Sequence, residues 1–190
     1  LLGKNLDLDL RVALEITAKT QPVSAEGVVN QASTFILKRL QGLLRDRGYR
    51  HDVLEAVLST QGYNPYRALQ SIDDLTTWVA REDWSTILDS FARCVRILPK
   101  NDELVLVDKG LFSSESERDL WGALSSIGPS DTVDDFLNDF TSIIPAVTSF
   151  FDDVLVMDDD LDVRSNRIAL LRSVVQMADG IVDMSKMDGF

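Results

Sequence analysis

An all-α fold, a helical bundle, is predicted by three features of this 190-residue sequence. Apolar residues recur at intervals of three and four, capping and breaking residues separate those stretches, and no Asn-Gly type of hairpin turn occurs. The hydrophobic content of 45% supplies a core for one domain over 1–190. A division into two lobes, 1–100 and 115–190, joined by a loop at 101–114, fits the same pattern. The opening Leu1-Leu2-Gly3-Lys4-Asn5 reads as the tail of an earlier element, so a piece of a longer protein is expected.

The first helix is expected over 7–20, with Gln21-Pro22 ending it because a residue before proline avoids the α region. Ser24 offers the next N-cap. The second helix carries Val28, Val29, Ala32, Phe35, Ile36, Leu40, Leu43 and Leu44 and stops at Gly48, with Phe35, Leu40 and Leu43 read as its apolar stripe. Asp52 is the expected cap of a third helix through Val57 and Leu58. Asn64 and Pro65 suit the N-cap and first position of a fourth, which holds Ile72, Leu75 and Trp78. A fifth starts at Glu82-Asp83, runs through Phe91 and Cys94, and ends at Pro99.

Asn101 to Ser114 is the least helical stretch and reads as a connecting loop, within which Leu104 to Val107 suits a short extended piece. Ser113 or Ser114 with Glu115 and Glu117 forms a capping box for a sixth helix, broken by Gly128-Pro129-Ser130. The segment from Thr132 to Val154 is expected to kink or restart near Pro145. Asp158-Asp159-Asp160 lacks the Gly and distal Glu of a calcium loop and suits the N-terminus of a last helix from about Leu161. Trp78, Trp84, Trp121, Phe150 and Phe151 are read as core.

Catalytic signatures are missing from the sequence: it has no GxGxxG, GxxxxGKS/T, GxSxG or HExxH. Cys94 and His51 are single residues of their types, so no internal disulfide and no zinc cage of Cys and His alone can form. Cys94 reads as a small buried apolar residue. No apolar stretch reaches the roughly 20 residues of a membrane helix, and no signal-peptide pattern opens the chain. A soluble binding domain is therefore expected.

The formal charge of −12 argues at first against a phosphate-rich partner. Its distribution argues otherwise. Residues 1–100 hold 13 Lys/Arg against 12 Asp/Glu, whereas residues 101–190 hold 6 against 19. The first half contains a basic run, Lys38, Arg39, Arg45, Arg47 and Arg50, interrupted only by Asp46.

Three segments carry a family resemblance. They are Phe35-Ile36-Leu37-Lys38-Arg39-Leu40 followed by Arg50-His51-Asp52-Val53-Leu54; Phe150-Phe151-Asp152-Asp153-Val154-Leu155-Val156-Met157 running into Arg164-Ser165-Asn166-Arg167; and Gly180-Ile181-Val182-Asp183-Met184-Ser185 with the terminal Gly189-Phe190. In this order they resemble the C-terminal anticodon-binding domain of the β subunit of bacterial-type glycyl-tRNA synthetase, itself a relative of the helical C-terminal domain of arginyl-tRNA synthetase. The Gly-Phe ending is similar to the cyanobacterial and plastid branch. The family's Lys-Arg-Val block appears here as Ala92-Arg93-Cys94-Val95-Arg96-Ile97.

The resemblance implies a non-catalytic domain of an ATP-dependent glycine-tRNA ligase, gripping the anticodon stem-loop of glycine tRNA. It implies no cofactor here, with ATP and Mg on an absent catalytic body that includes the α subunit or a fused α-like portion. A bacterial cytoplasmic or plastid stromal location follows, with no membrane or DNA partner. An RNA loop presents phosphates and unstacked bases, which call for exposed cations, flat side chains and amides. The candidates are Lys38, Arg39, Arg45, Arg47, Arg50, His51, Arg93, Arg96, Arg164, Asn166 and Arg167. Each has a plain alternative: a solvated face for Lys38 and Arg45, an i,i+4 pair of Asp160 with Arg164, and a structural link for Asn166. The competing functional class is a helical protein-interaction module with an acidic docking surface.

Overall fold

Asp9 begins the first helix by accepting hydrogen bonds from the amides of Arg11 and Val12 at 2.8 and 3.1 Å, which satisfies donors that a helix start leaves free. The computed structural model describes residues 2–20, 27–100 and 105–190, and among these are eight α-helices and no strand. The helices are α1 (Leu10–Lys19), α2 (Val28–Asp46), α3 (His51–Gln61), α4 (Pro65–Val79), α5 (Trp84–Ile97), α6 (Glu115–Ser125), α7 (Val133–Asp153) and α8 (Leu161–Gln176). The expectations placed on Gln21-Pro22, Ser24 and Leu104 fall outside the described residues.

The helices form two units. One contains the chain up to Arg81 together with Gly180–Asp188; the other contains Glu82–Asp179 with Gly189 and Phe190. The division thus falls before α5 and not at the 101–114 connection, because α5 turns Ile87, Leu88 and Phe91 inward against α7 and α8.

In the first unit α3 packs against both α2 and α4, and Leu40 and Leu44 of α2, Val53, Leu54 and Val57 of α3, and Ile72, Leu75 and Trp78 of α4 are all buried. Gly48, at φ 94°, ends the second helix in the left-handed region. Asn64 caps α4 through the Arg67 amide, with Pro65 in its first turn. The C-terminal segment returns to α3: the Ile181 carbonyl accepts from Gln61 Nε2 at 2.6 Å and from Thr60 Oγ1 at 3.1 Å, and the Asp183 amide donates to Ala56 at 2.9 Å. Asp52 is not the cap of α3. Arg50 takes that position, and Asp52, buried in the first turn two residues later, accepts from Arg50 Nη2 at 2.7 Å and from the Asp188 amide at 3.2 Å.

In the second unit, Phe91, Phe136 and Phe140 form an aromatic trio between α5 and α7. The seventh helix runs through Pro145 without a break. Pro145 is exposed, while Ile143, Val147 and Phe150 continue the buried stripe on either side, so packing outweighs the hydrogen bond proline removes. Ser114 and Glu117 make the reciprocal capping box of α6. Asp160 caps α8 by accepting from the Asp162 and Val163 amides. Residues 105–108 are irregular and lead into a short 3-10 turn at Lys109–Leu111.

Two buried carboxylates set an acid limit. Burial pushes Asp52 up, but Arg50 and the Asp188 amide more than reverse this and hold it below its ordinary 3.8. Burial likewise raises Glu117, and Arg167 with the Ser114 and Ser113 amides brings it below 4.5. Carboxyls lowered on folding contribute stability that is present above their ordinary values and lost as pH falls through the lower folded ones. Thermal melts by circular dichroism should therefore show little change from pH 7 to about 5 from these two groups, then a falling melting temperature toward pH 3. Asp52→Asn should flatten part of that fall.

Candidate nucleic-acid interface

The second helix has two apolar stripes at helical spacing, and only one of them meets α3. Leu40 and Leu44 are buried at 6% and 0% exposure. Phe35 is 66% exposed and Leu43 44%, so the stripe Phe35/Leu40/Leu43 read from spacing is corrected. Phe35 lies five residues from Leu40 and nine from Leu44, which at 100° per residue turns it away from the core. It shares that outward face with Lys38, Arg39 and Gly42, three, four and seven residues along.

Lys38, Arg39 and Arg47 line one groove of about 730 Å³, together with Gly42, Asp46 and Pro65. Arg45, seven residues after Lys38, is exposed on the adjoining face. None of Lys38, Arg39, Arg45 and Arg47 forms an ion pair with another described residue. Within α2 itself the only acid is Asp46. The charge of the groove is therefore available to an external anion.

The neighbouring candidates are more committed. Arg50 chelates Asp52 through Nε and Nη2 and lies 3.8 Å from Asp188. His51 is exposed, with Nδ1 3.7 Å from Glu55 Oε1, and Glu55 accepts a hydrogen bond from Gln41.

In the second unit the Arg93 guanidinium lies 4.1 Å over the half-buried Phe151 ring, and Arg96 lies 5.7 Å from the Phe190 ring centre. Arg93, Arg96 and Phe151 line an open depression of about 540 Å³ with Asp89 and Ile97. Phe151 was expected as core; its face instead carries a cation. Neither arginine is paired with a carboxylate among the described residues. Nothing in the sequence signals this stack, because its partners are 58 residues apart and meet only when α5 packs on α7.

Asn166 and Arg167 are corrected as candidate contacts. Asn166 is 2% exposed and uses both amide atoms on the Asp108 backbone, at 2.7 and 2.9 Å. Arg167, 6% exposed, donates to Glu117, Asp158, the Leu155 carbonyl and Ser113 Oγ, all within 2.9 Å. These donors are satisfied internally and hold the loops before α6 and α8. Arg164 is half-buried, and Asp160 caps the helix instead of pairing with it.

Burial pushes the Cys94 thiol up to about 12, so it stays protonated at neutral pH and supplies no nucleophile. Among the described residues no group of three or more His, Cys, Asp or Glu is placed to hold a metal ion. None of their helices is long and apolar enough to cross a membrane.

The chain matches glycine–tRNA ligase, chloroplastic/mitochondrial 2, of Arabidopsis thaliana with 30% identity over 197 residues, covering 100% of the chain and 18% of that relative. It matches the glycine–tRNA ligase beta subunit of Sulfurihydrogenibium sp. (strain YO3AOP1) with 28% identity over 196 residues, covering 100% and 27%. The beta subunit of Clostridioides difficile (strain 630) is 28% identical over 197 residues, covering 98% and 28%. Over its whole length the chain is thus similar to part of these glycine–tRNA ligases. It spans only 18–28% of the length of these curated relatives. No family model matches it. The glycine–tRNA ligase resemblance read from three segments thus extends over the whole chain. Of those segments, the first lies on α2 and the start of α3, the second carries the Arg167 network, and the third includes the stretch seated on α3.

Proposed function

We propose that this chain is the tRNA-binding domain of a glycine–tRNA ligase and recognises the anticodon stem-loop of glycine tRNA during aminoacylation. The end-to-end similarity to glycine–tRNA ligases carries this reading. The geometry supports it with cations that have no acidic partner among the described residues, gathered in one groove of a protein whose formal charge is −12. In this reading Lys38, Arg39 and Arg47 take phosphates of the RNA backbone, with Arg45 beside them. Arg93 with Phe151, and Arg96 beside them, offer a second surface with the chemistry for an unstacked base and its phosphate.

Activation of glycine and its transfer to tRNA belong to a separate catalytic body that includes the α subunit or an α-like portion. ATP and Mg belong there too. The setting is the bacterial cytoplasm or the plastid stroma.

If three phosphates are neutralised, affinity for glycine tRNA should fall about 40-fold between about 50 and 200 mM salt. Reversal of Lys38, Arg39 and Arg47 to glutamate should remove most of that dependence and weaken binding uniformly. Filter binding of the 190-residue chain to glycine tRNA and to an unrelated tRNA provides the measurement. The competing reading, an adaptor for a basic protein, is favoured by Leu106 and Leu155, 90% and 71% exposed in the acidic half. It prevails if the two tRNAs bind alike and the reversals change nothing.

A further inference from the structure

We infer that Phe35 is a stacking platform for one unpaired base of the bound RNA, with Lys38 and Arg39 holding the phosphates on either side of that base. This rests on the tRNA-binding reading above and names the residue through which an RNA loop differs from a duplex.

Phe35 is 66% exposed, in the middle of a helix whose buried residues are Leu40 and Leu44 on the opposite side. An aromatic ring left in water contributes nothing to the core, so the packing of this unit does not account for it. Its surroundings separate it from other exposed apolar residues of the same unit. Val12 and Ile16, 50% and 60% exposed, are aliphatic and have no flat face for a base. Phe35 stands one helical turn from Lys38 and Arg39, both lining the groove and both without an acidic partner among the described residues. Gly42, a further turn along, has nothing within 4 Å of where its Cβ would be, so that face stays low and open beside the ring. A flat ring one turn before two adjacent cations on an open helix face fits a base with its neighbouring phosphates. The residues one turn from Phe35 on this helix are Gln31 and Ala32 on one side and Lys38 and Arg39 on the other, so two of its four neighbours at that spacing are cations.

The test uses the 190-residue chain and two RNAs: a 17-nucleotide hairpin with a seven-nucleotide loop carrying 2-aminopurine, and a blunt duplex with the sequence of its stem. Phe35→Ala should weaken hairpin binding about 5- to 150-fold, the span seen when a base-stacking aromatic is truncated, and leave duplex binding unchanged. Phe35→Trp should restore hairpin affinity and the 2-aminopurine emission of the wild-type complex. Because the side chain is exposed, melting temperatures of both variants should match wild type, which excludes misfolding as the cause. Equal hairpin affinity for wild type and Phe35→Ala, or equal losses on hairpin and duplex, overturns the stacking role. So does an unchanged RNA affinity coupled with a changed oligomeric state, which would assign the ring to protein contact. If the wild-type chain itself fails to prefer the hairpin, the tRNA-binding reading falls first, and this inference with it.

Discussion

Replacing Arg167 with methionine should lower the unfolding free energy by about 3–5 kcal/mol at pH 7, measured by urea denaturation. The side chain is close to a full complement of partners: Nε on Glu117 at 2.8 Å, Nη1 on Asp158 at 2.7 Å and on the Leu155 carbonyl at 2.9 Å, and Nη2 on Ser113 Oγ at 2.9 Å. Glu117 is 1% exposed, and its other oxygen already accepts from the Ser113 and Ser114 amides at 2.7 Å each. Methionine fills similar space but leaves that carboxylate buried without its cation, and the desolvation penalty is then unopposed.

Lysine at 167 should recover only part of the loss, because one ammonium cannot reach four acceptors arranged for a planar fork. The pH dependence identifies the cause. In the variant, burial no longer has Arg167 against it, so the Glu117 carboxyl should rise above its wild-type position. Protonation then relieves the penalty, and the gap between variant and wild type should narrow as pH falls toward about 4.5 and below. A gap independent of pH would assign the loss to packing alone.

That network also shows where sequence reading stops. Arg164 and Arg167 are written as two cations one turn apart, and nothing local tells them apart. One is half-buried on its helix and the other is enclosed by Glu117, which lies 50 residues away. The same holds for Phe35. Spacing by three and four allows two apolar faces on α2, and the choice between them is made by α3, whose Val53, Leu54 and Val57 meet Leu40 and Leu44. Asp52 likewise has the composition of a cap, yet it sits two residues past the cap in the first turn of α3, where it binds both Arg50 and the returning chain at Asp188.

Elements governed by neighbours in sequence were legible. Asn64-Pro65 and Ser114 with Glu117 start helices because their hydrogen bonds are closed within four residues. The basic groove was legible in part, since Lys38, Arg39 and Arg47 fall within one helix and its cap, and the even charge of the first half pointed there. The boundary between units was not. It depends on which helices α5 chooses, and an amphipathic face specifies burial without naming its partner.

That choice is made largely by three phenylalanines, and Phe140→Ala should be the most damaging single truncation among them. Phe140 is fully buried, its ring edge-on to Phe91 at 5.3 Å and 84°, and stacked near Phe136 at 6.2 Å and 26°. Phe91 and Phe136 also meet edge to face at 5.7 Å, so the trio closes on itself across α5 and α7. Truncation removes the transfer energy of the ring, leaves a cavity that rigid helices fill poorly, and breaks two aromatic contacts; about 3–5 kcal/mol is expected. Amides of α5 and α7 that exchange only on opening of this unit should then exchange about 150- to 5,000-fold faster by hydrogen–deuterium exchange. Phe140→Leu keeps much of the volume without the ring edges and should cost less than half as much. If alanine and leucine were equally mild, the junction of α5 with α7 would rest on the aliphatic contacts of Ile87, Leu88 and Leu137 instead of the aromatic trio.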